Sequence, residues 1–204
     1  MNYLKYLTEE IHSTVMATVD ENGLPVTCAI DIMDYDENGL YFLTARGKNF
    51  YARLKRSGYV SLTGMKGTET LSCVAISVRG KVQEVGSDYL NRLFEKNSYM
   101  YEIYPTKDSS TALTVFRIYD GCGEWFDLSK KPIERASFSF GNGIKTVDGY
   151  YITDKWSGWT KCTEVCPPGC IEFTSGYAGI IQSSCLHCGN CFNICPQKAV
   201  VKRG

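Results

Sequence analysis

The feature that most constrains this chain is a run of cysteines in its last quarter. Four thiols follow the spacing Cys185-x-x-Cys188-x-x-Cys191-x-x-x-Cys195, and a proline follows the last of them. Seven of the ten cysteines in the 204-residue chain lie in the segment 162–195. Ten cysteines could also belong to a secreted disulfide scaffold, but clustering in ligand spacing is typical of metal binding in a reducing compartment. We therefore expect the C-terminal quarter to fold around a metal centre.

The cysteine run is the second copy of an internal duplication, which is a strong guide to architecture. An offset of 29 residues aligns Cys162 with Cys191, Cys166 with Cys195, Pro167 with Pro196 and Ile152 with Ile181. The repeat breaks at two positions, because Trp156 and Trp159 stand where the second copy has cysteines. One copy has therefore kept its thiols and the other has lost half of them.

This pattern resembles a two-cluster bacterial ferredoxin in which one cluster site is degenerate. In such ferredoxins the fourth cysteine of each run ligates the other cluster. The resemblance therefore implies a single [4Fe–4S] cluster with four ligands: Cys166, Cys185, Cys188 and Cys191. The other site would keep only Cys162 and Cys195. Two thiolates beside two indole rings cannot complete the four-thiolate shell, and the rings would fill part of the vacated space.

Alternatives remain open for these thiols. Cys170 is a further cysteine in the same neighbourhood, and it could supply a third ligand to a reduced second cluster beside Cys162 and Cys195. Zinc also accepts four cysteines in paired Cys-x-x-Cys spacings. The repeat could also be a relic that binds nothing. The continuous run of three closely spaced cysteines, a fourth and then proline favours iron.

The chain before residue 129 indicates a series of short strands. The tetrapeptide Asp-Glu-Asn-Gly occurs at 20–23 and again at 36–39, and Asn-Gly supplies the positive φ values that tight hairpin turns require. Strands are predicted on both sides of these turns, and helices over 4–12, 49–56 and 87–97. Strand pairs are predicted over 71–85 and 111–128, with turns at Arg79-Gly80 and at 120–123. Six or more strands with few short helices imply a closed or nearly closed barrel.

The order of these elements and the segment Y-F-L-T-A-R-G-K-N-F-Y-A-R-L, residues 41–54, resemble the FMN-binding split barrel of the pyridoxamine 5′-phosphate oxidase-like family over residues 8–128. In that family a strand end with Thr or Ser and a basic loop grips the flavin phosphate, which implies Thr44, Arg46 and Lys48 here. A phosphate dianion needs charged donors and backbone N–H groups, and a glycine-containing loop that opens a helix provides both. The Arg-Gln pair of true pyridoxamine phosphate oxidases is missing, which argues against pyridoxal chemistry. The resemblance also implies a homodimer with flavin between the subunits.

These observations predict a mainly β chain in two domains. We expect a split-barrel flavin-binding domain over 1–128, a linker over 129–148 and a small α+β ferredoxin-type domain over 149–204. The middle of the linker, 133–140, could still form a strand that docks on the barrel.

Composition narrows the function further. The chain has 22 basic and 22 acidic residues, so no basic field indicates nucleic acid binding. It has no apolar run near the ~20 residues of a membrane helix and no signal-peptide core in residues 1–10, so we expect a soluble cytoplasmic protein.

The leading hypothesis is an oxidoreductase that passes electrons between one [4Fe–4S] cluster and FMN to reduce a small acceptor, with a redox partner protein or small molecule at one end. The alternative is an electron-transfer or redox-sensing module whose barrel serves only for dimerisation and docking. Whether the chain is an enzyme stays open at this stage.

Overall fold

The computed structural model describes residues 1–145, 147–174 and 176–204. Residue 146 of the predicted linker and residue 175 of the predicted C-terminal domain lie outside the described residues. The chain divides into two units. The first comprises Met1–Lys66, Ala75–Glu124 and Phe138–Lys145, and the second comprises Gly67–Val74, Trp125–Ser137 and Thr146–Gly204. The predicted linker is thus divided between the two units, and its role as a linker stays a prediction.

Strands dominate residues 13–140. They are β1 Ser13–Val19, β2 Pro25–Asp31, β3 Asp34–Asp36, β4 Gly39–Ala45, β5 Tyr59–Lys66, β6 Val74–Gly86, β7 Leu113–Asp127 and β8 Glu134–Phe140. They form one sheet in the order β2-β1-β5-β6-β7-β4-β3, with β8 paired to β7. The mainly β, barrel-like fold expected from the sequence is confirmed. A strand also covers most of 133–140, as the sequence left open.

Short helices connect the strands. They are α1 Tyr3–Tyr6, α2 Asn49–Ser57, α3 Leu90–Lys96 and α4 Met100–Ile103, and a wider helical turn, Leu7–Ile11, continues α1. Single helical turns occupy Thr70–Ser72, Ser87–Tyr89 and Asp108–Ser110. No helix in the described ranges has the length and apolar character that crossing a membrane requires.

Strand β4 forms much of the core and leads directly to the predicted phosphate loop. Apolar side chains on both faces of β4 are buried, so the strand is covered from two sides. The Phe42 ring stacks on the ring of Phe116 in β7, with centroids 5.8 Å apart, and packs against Phe50 of α2 at 6.1 Å. Phe42 therefore fixes α2 against the strand that precedes it.

Helix α2 is short and has a clear beginning and end. Phe50 and Leu54, four residues apart, are its buried side chains, so one face packs on the sheet. Gly58 follows the helix with φ of 60°, and its N–H donates to the Leu54 carbonyl oxygen at 3.0 Å. This left-handed residue ends the helix, a conformation that glycine adopts without steric cost. Helix α2 therefore spans Asn49–Ser57 and ends at Gly58.

The predicted breaks at Arg79-Gly80 and at 120–123 are wrong, because β6 and β7 each run through them. A Cβ atom on Gly80 would lie 3.1 Å from the Cα of Gly121, and one on Gly121 would lie 2.8 Å from the Arg79 carbonyl oxygen. Glycines inside strands often mark a close approach of two backbones, and here they allow β6 and β7 to meet without a break. The Phe140 ring of β8 also lies against Gly121.

The C-terminal part of the second unit, residues 147–204, contains two small antiparallel strand pairs. Its elements are β9 Gly149–Ile152, β10 Ile171–Thr174, β11 Tyr177–Ile180, α5 Asn190–Ile194 and β12 Val200–Arg203, with single turns at Lys161–Thr163 and Gln182–Ser184. β9 pairs antiparallel with β12, and β10 pairs antiparallel with β11. The 29-residue offset maps β10 onto β12 and the turn at Lys161–Thr163 onto the start of α5. The sequence duplication therefore has a structural counterpart, while the ferredoxin-type identity of this unit stays a prediction.

Truncation of Phe42 tests the packing that positions α2. We expect Phe42→Ala to lower the free energy of unfolding by about 3–5 kcal/mol, since it opens a cavity at a fully buried ring. Leu24→Ala, in the exposed turn between β1 and β2, should change it by less than about 0.5 kcal/mol. Denaturant unfolding of both variants measures the difference, and equal midpoints would contradict this account of the core.

Candidate functional site

Five thiols of the second unit line a single pocket. They are Cys166, Cys170, Cys185, Cys188 and Cys191. The remaining wall is mainly apolar and comprises Tyr150, Pro168, Ile171, Ile180, Leu186, Gly189 and Asn190. The four cysteines that the sequence predicts as ligands therefore lie around one space, together with a fifth. Cys162 and Cys195 are not among the residues that line it.

Local backbone turns bring the second-copy cysteines to the pocket. Cys185 follows a single helical turn, and its sulfur accepts a hydrogen bond from the His187 backbone N–H at 3.4 Å. His187 has φ of 55° and Gly189 has φ of 80°, so the chain curls twice before α5 begins. Cys191 lies in the first turn of α5 and is buried, whereas Cys188 is exposed. The short spacing thus directs all three thiols to the same side.

A tight turn places two first-copy thiols beside each other. In the segment 166–170, the N–H of Gly169 donates to the Cys166 carbonyl oxygen at 3.1 Å. Gly169 has φ of 63°, a left-handed conformation that glycine accepts readily. The turn returns the chain on itself, and the Sγ atoms of Cys166 and Cys170 are 3.5 Å apart.

Burial favours the protonated form of two pocket thiols, Cys191 and Cys170. It raises the pKa of Cys191 to about 11, and the nearby sulfur of Cys185 adds to the rise. Burial likewise raises the pKa of Cys170, with further contributions from Cys166 and Cys185. Desolvation disfavours a thiolate that no cation compensates. A bound metal would therefore displace protons from these sulfurs.

The thiols surround a space and do not close on a single point. In the parts of the chain that the structure describes, no group of three or more His, Cys, Asp or Glu side chains converges closely enough to hold one metal ion. A four-iron cluster takes each of its four cysteines on a different iron, so its ligands stand around a larger body. Four thiols around one space are the kind of donor set that such a cluster uses.

Apolar side chains fill the region where a second cluster would lie in a two-cluster ferredoxin. Cys162 and Cys195 belong to a buried apolar cluster against which Trp156 and Trp159 pack. The Trp156 ring stacks on Phe173 with centroids 5.4 Å apart and planes 13° from parallel. Its Nε1–H donates to the Trp159 carbonyl oxygen at 2.8 Å. The indoles are thus fixed parts of a small core.

The predicted phosphate-binding residues lie at the end of β4, for Thr44, and in the loop before α2, for Arg46 and Lys48. Thr44 is buried, and its hydroxyl has no hydrogen-bond partner among the described residues. Lys48 directly precedes α2 and is exposed, and no side chain caps the helix there. The first N–H groups of a helix have no partner within the helix. A buried unpaired hydroxyl, an exposed cation and the beginning of a helix therefore lie within six residues of the chain.

Arg46 differs from this expectation because it is already paired. Its Nη1 donates to the Thr111 carbonyl oxygen at 3.0 Å, and its Nε lies 3.8 Å from a carboxylate oxygen of Glu84. The sequence analysis did not identify Glu84, which is nearly 40 residues away in β6 and gives no local signal.

Glu84 is held in its charged form by several donors. Burial alone would raise its pKa, but hydrogen bonds from Thr114 at 2.8 Å, Lys55 at 3.0 Å and Tyr51 at 3.1 Å outweigh that effect and lower it. This carboxylate offsets part of the positive charge that Arg46 brings to the loop.

A hydrogen-bonded group of polar side chains, His12, Tyr99 and Asp31, also lies in the first unit. The Nε2 atom of His12 is 3.1 Å from the Tyr99 hydroxyl, which donates to an Asp31 carboxylate oxygen at 3.0 Å. Burial raises the pKa of Tyr99, and Asp31 adds to the rise. These contacts tie the segment before α4 to the end of β2, which is a structural role.

Known proteins resemble parts of the chain. A 46-residue segment, 22% of this chain, is 48% identical to one subunit of the ion-translocating oxidoreductase complex of Methanosarcina acetivorans, and it spans 17% of that protein's length. A nimc/nima family protein of Clostridium acetobutylicum has a similar fold, with a TM-score of 0.55, 17% identity and coverage of 68% of this chain and 94% of that one.

Two further solved structures share the fold at low identity. A protein of Clostridium acetobutylicum related to general stress protein 26, of the pyridoxinephosphate oxidase family, gives a TM-score of 0.51 with 17% identity, over 66% of this chain and 90% of that one. A heme binding protein from Mycobacterium smegmatis gives 0.52 with 10% identity, over 67% and 56%. A profile of the family described as pyridoxamine 5′-phosphate oxidase matches residues 3–119, more than half of the chain, and the chain therefore belongs to that family.

Proposed function

We propose that this chain is an FMN-dependent and iron–sulfur-dependent oxidoreductase that passes electrons between one [4Fe–4S] cluster and FMN and reduces a small acceptor. The observation that carries the proposal is the convergence of Cys166, Cys185, Cys188 and Cys191 on one pocket in a chain of the pyridoxamine 5′-phosphate oxidase family. When bound, the cluster would supply single electrons and the flavin would store two. The missing Arg-Gln pair speaks against pyridoxal chemistry.

The protein's own contribution at the cluster would be ligation and exclusion of water. The four cysteines would supply the thiolates, and the apolar wall that includes Ile171 and Ile180 would limit solvent access. The His187 backbone N–H, which donates to the Cys185 sulfur, would stabilise negative charge on that sulfur. Hydrogen bonds of this kind raise the reduction potential of iron–sulfur sites. The partial match to a component of an oxidoreductase complex supports a redox role.

The loop after β4 would hold the FMN phosphate. Lys48 would pair with the dianion, and the first N–H groups of α2 would donate to it. The Thr44 hydroxyl supports a ligand at this position, since a buried hydroxyl without a partner is costly. Arg46 would contribute less than its charge suggests, because Glu84 already lies beside it.

A homodimer is the proposed assembly. On the outer face of β1 and β5, the side chains of Val15, Val19, Tyr59 and Met65 are exposed. Val15 faces Ala29 of β2 and Thr63 of β5 in the strand register, so its neighbours on both strands are small and only weakly polar. Exposed apolar patches of this kind commonly mark protein interfaces.

Clustered thiols in ligand spacing favour the cytoplasm as the location of the protein.

The alternative proposal is an electron-transfer or redox-sensing module whose barrel only dimerises and docks partners. Flavin content separates the two proposals. Anaerobically purified full-length protein should contain about four irons and one FMN per chain, as the proposed stoichiometry requires. Iron without flavin would move the assignment to the alternative, and a haem absorption band in place of flavin would overturn the FMN site.

Substitution of one cysteine from each copy tests the ligand set. Cys166→Ser should lose most of the iron and the cluster absorption, because it removes one of four thiolates. Its repeat counterpart Cys195→Ser should keep both, since a hydroxyl can still accept the hydrogen bond that the Ala199 N–H gives the Cys195 sulfur. Iron and sulfide analysis measures the result. Loss of iron in Cys195→Ser but not in Cys166→Ser would refute the assignment of Cys166, from the other copy, as the fourth ligand.

Removal of Lys48 tests the phosphate site. We expect Lys48→Ala to raise the Kd for FMN by tenfold or more, because a charge-assisted hydrogen bond contributes about 1.5–3 kcal/mol. Riboflavin lacks the phosphate, so its Kd should not change. Arg56→Ala removes a cation from the last turn of the same helix and serves as the matched control. Fluorescence titration measures each Kd, and an equal loss for both flavins would contradict a phosphate contact.

A charge on the exposed sheet face tests the dimer. Val15→Lys should shift the protein from dimer to monomer in analytical ultracentrifugation, because a buried unpaired ammonium group is strongly disfavoured. Ile103→Lys is the control, since Ile103 is about as exposed, 59% against 55%, but lies on α4. A dimer that survives Val15→Lys would place the interface elsewhere.

A further inference from the structure

The fifth pocket thiol has no place in a four-ligand cluster. Cys170 is only 2% exposed and lines the same pocket as the four proposed ligands. The position that matches it in the second copy is Ala199, so the fold does not require a thiol there. A second thiol beside Cys166 brings redox chemistry with it.

From this arrangement we propose that Cys166 and Cys170 form a disulfide when the cluster is absent, and that this disulfide blocks the cluster site. The inference rests on the proposed function, since Cys166 is one of the four proposed ligands. This disulfide would control whether the pocket can take iron.

The backbone favours this pair of sulfurs. The turn closed by the Gly169 N–H and the Cys166 carbonyl oxygen returns the chain within five residues. The two Sγ atoms are 3.5 Å apart, and a disulfide needs about 2.05 Å, so the required movement is within the reach of side-chain rotation. Two prolines, Pro167 and Pro168, restrict the intervening backbone and keep the two cysteines near each other.

The difference in exposure sets the order of attack. Cys166 is partly exposed, whereas Cys170 is buried. With glutathione disulfide as oxidant, the Cys166 thiolate attacks one glutathione sulfur and releases one glutathione. The Cys170 sulfur then attacks Cys166 in the mixed disulfide and releases the second. Overall, two protein thiols and one glutathione disulfide give one protein disulfide and two glutathione thiols. The two electrons and two protons that the protein loses are taken up by glutathione.

The chain offers a direct way to locate the bond. Cleavage after Glu164 and Glu172 releases the peptide 165–172, which contains Cys166 and Cys170 and no other cysteine. Cys162 remains on the preceding fragment, and the segment 173–204, which has no glutamate, carries the other four thiols of this region. Mass spectrometry therefore distinguishes a bond within 165–172 from a bond to any other cysteine.

The experiment uses full-length protein from which iron has been removed by a chelator under reducing conditions. After exposure to glutathione disulfide and alkylation of free thiols, the peptide 165–172 should lack two hydrogen atoms and carry no alkyl group. Fully alkylated 165–172, or a cross-link to 173–204, would overturn the proposal.

Iron uptake then tests control of the site. Oxidised wild-type protein should take up several-fold less iron than the same sample after dithiothreitol. Cys170→Ala keeps all four proposed ligands, and its iron uptake should be much less sensitive to the same oxidation. Equal sensitivity of the variant and the wild type would overturn the control role. Failure of the reduced wild-type protein to bind iron at all would instead refute the proposed cluster, whatever the peptide map shows.

Discussion

Thiols that are buried without a compensating cation resist ionisation. This constraint governs the thiol-lined pocket of the second unit. Burial raises the pKa of both Cys170 and Cys191. A metal centre reverses the balance, because thiolate ligation repays both deprotonation and desolvation. The strands here are only four residues long, so the unit buries little apolar area of its own. Under the proposed function, ligation would contribute stability that the small core cannot supply.

Matching positions in the two copies of the duplication carry different side chains and make different contacts. Thiols of both copies line the pocket, but Trp156 and Trp159 stand in the first copy where the second copy has Cys185 and Cys188. At these positions Trp156 stacks on Phe173 and donates a hydrogen bond to the Trp159 carbonyl oxygen, so the indoles pack within the apolar cluster. Because Cys191 belongs both to this apolar cluster and to the pocket, packing in one half holds a thiol of the other in place.

Local patterns explain what the sequence could predict. Cysteines spaced two residues apart share a loop, so the convergence of Cys185, Cys188 and Cys191 on one pocket follows from their spacing. The segment that leads from β4 into α2 is equally local, and so is the turn at Asn22-Gly23. In contrast, the glycines at 80 and 121 gave a wrong prediction of turns, because the signal for a turn and for a close strand crossing is the same residue type.

Long-range partners account for what the sequence could not predict. Arg46 lies in the loop that the sequence predicts to bind phosphate, yet part of its charge is offset by Glu84, a residue brought near only by the pairing of distant strands. The same holds for Cys170, whose sulfur meets Cys166 through a Pro-Pro-Gly turn but whose place in the pocket depends on the return of 185–191. A residue's type therefore indicates what it can bind. Whether it is free to bind depends on neighbours that only the folded chain supplies.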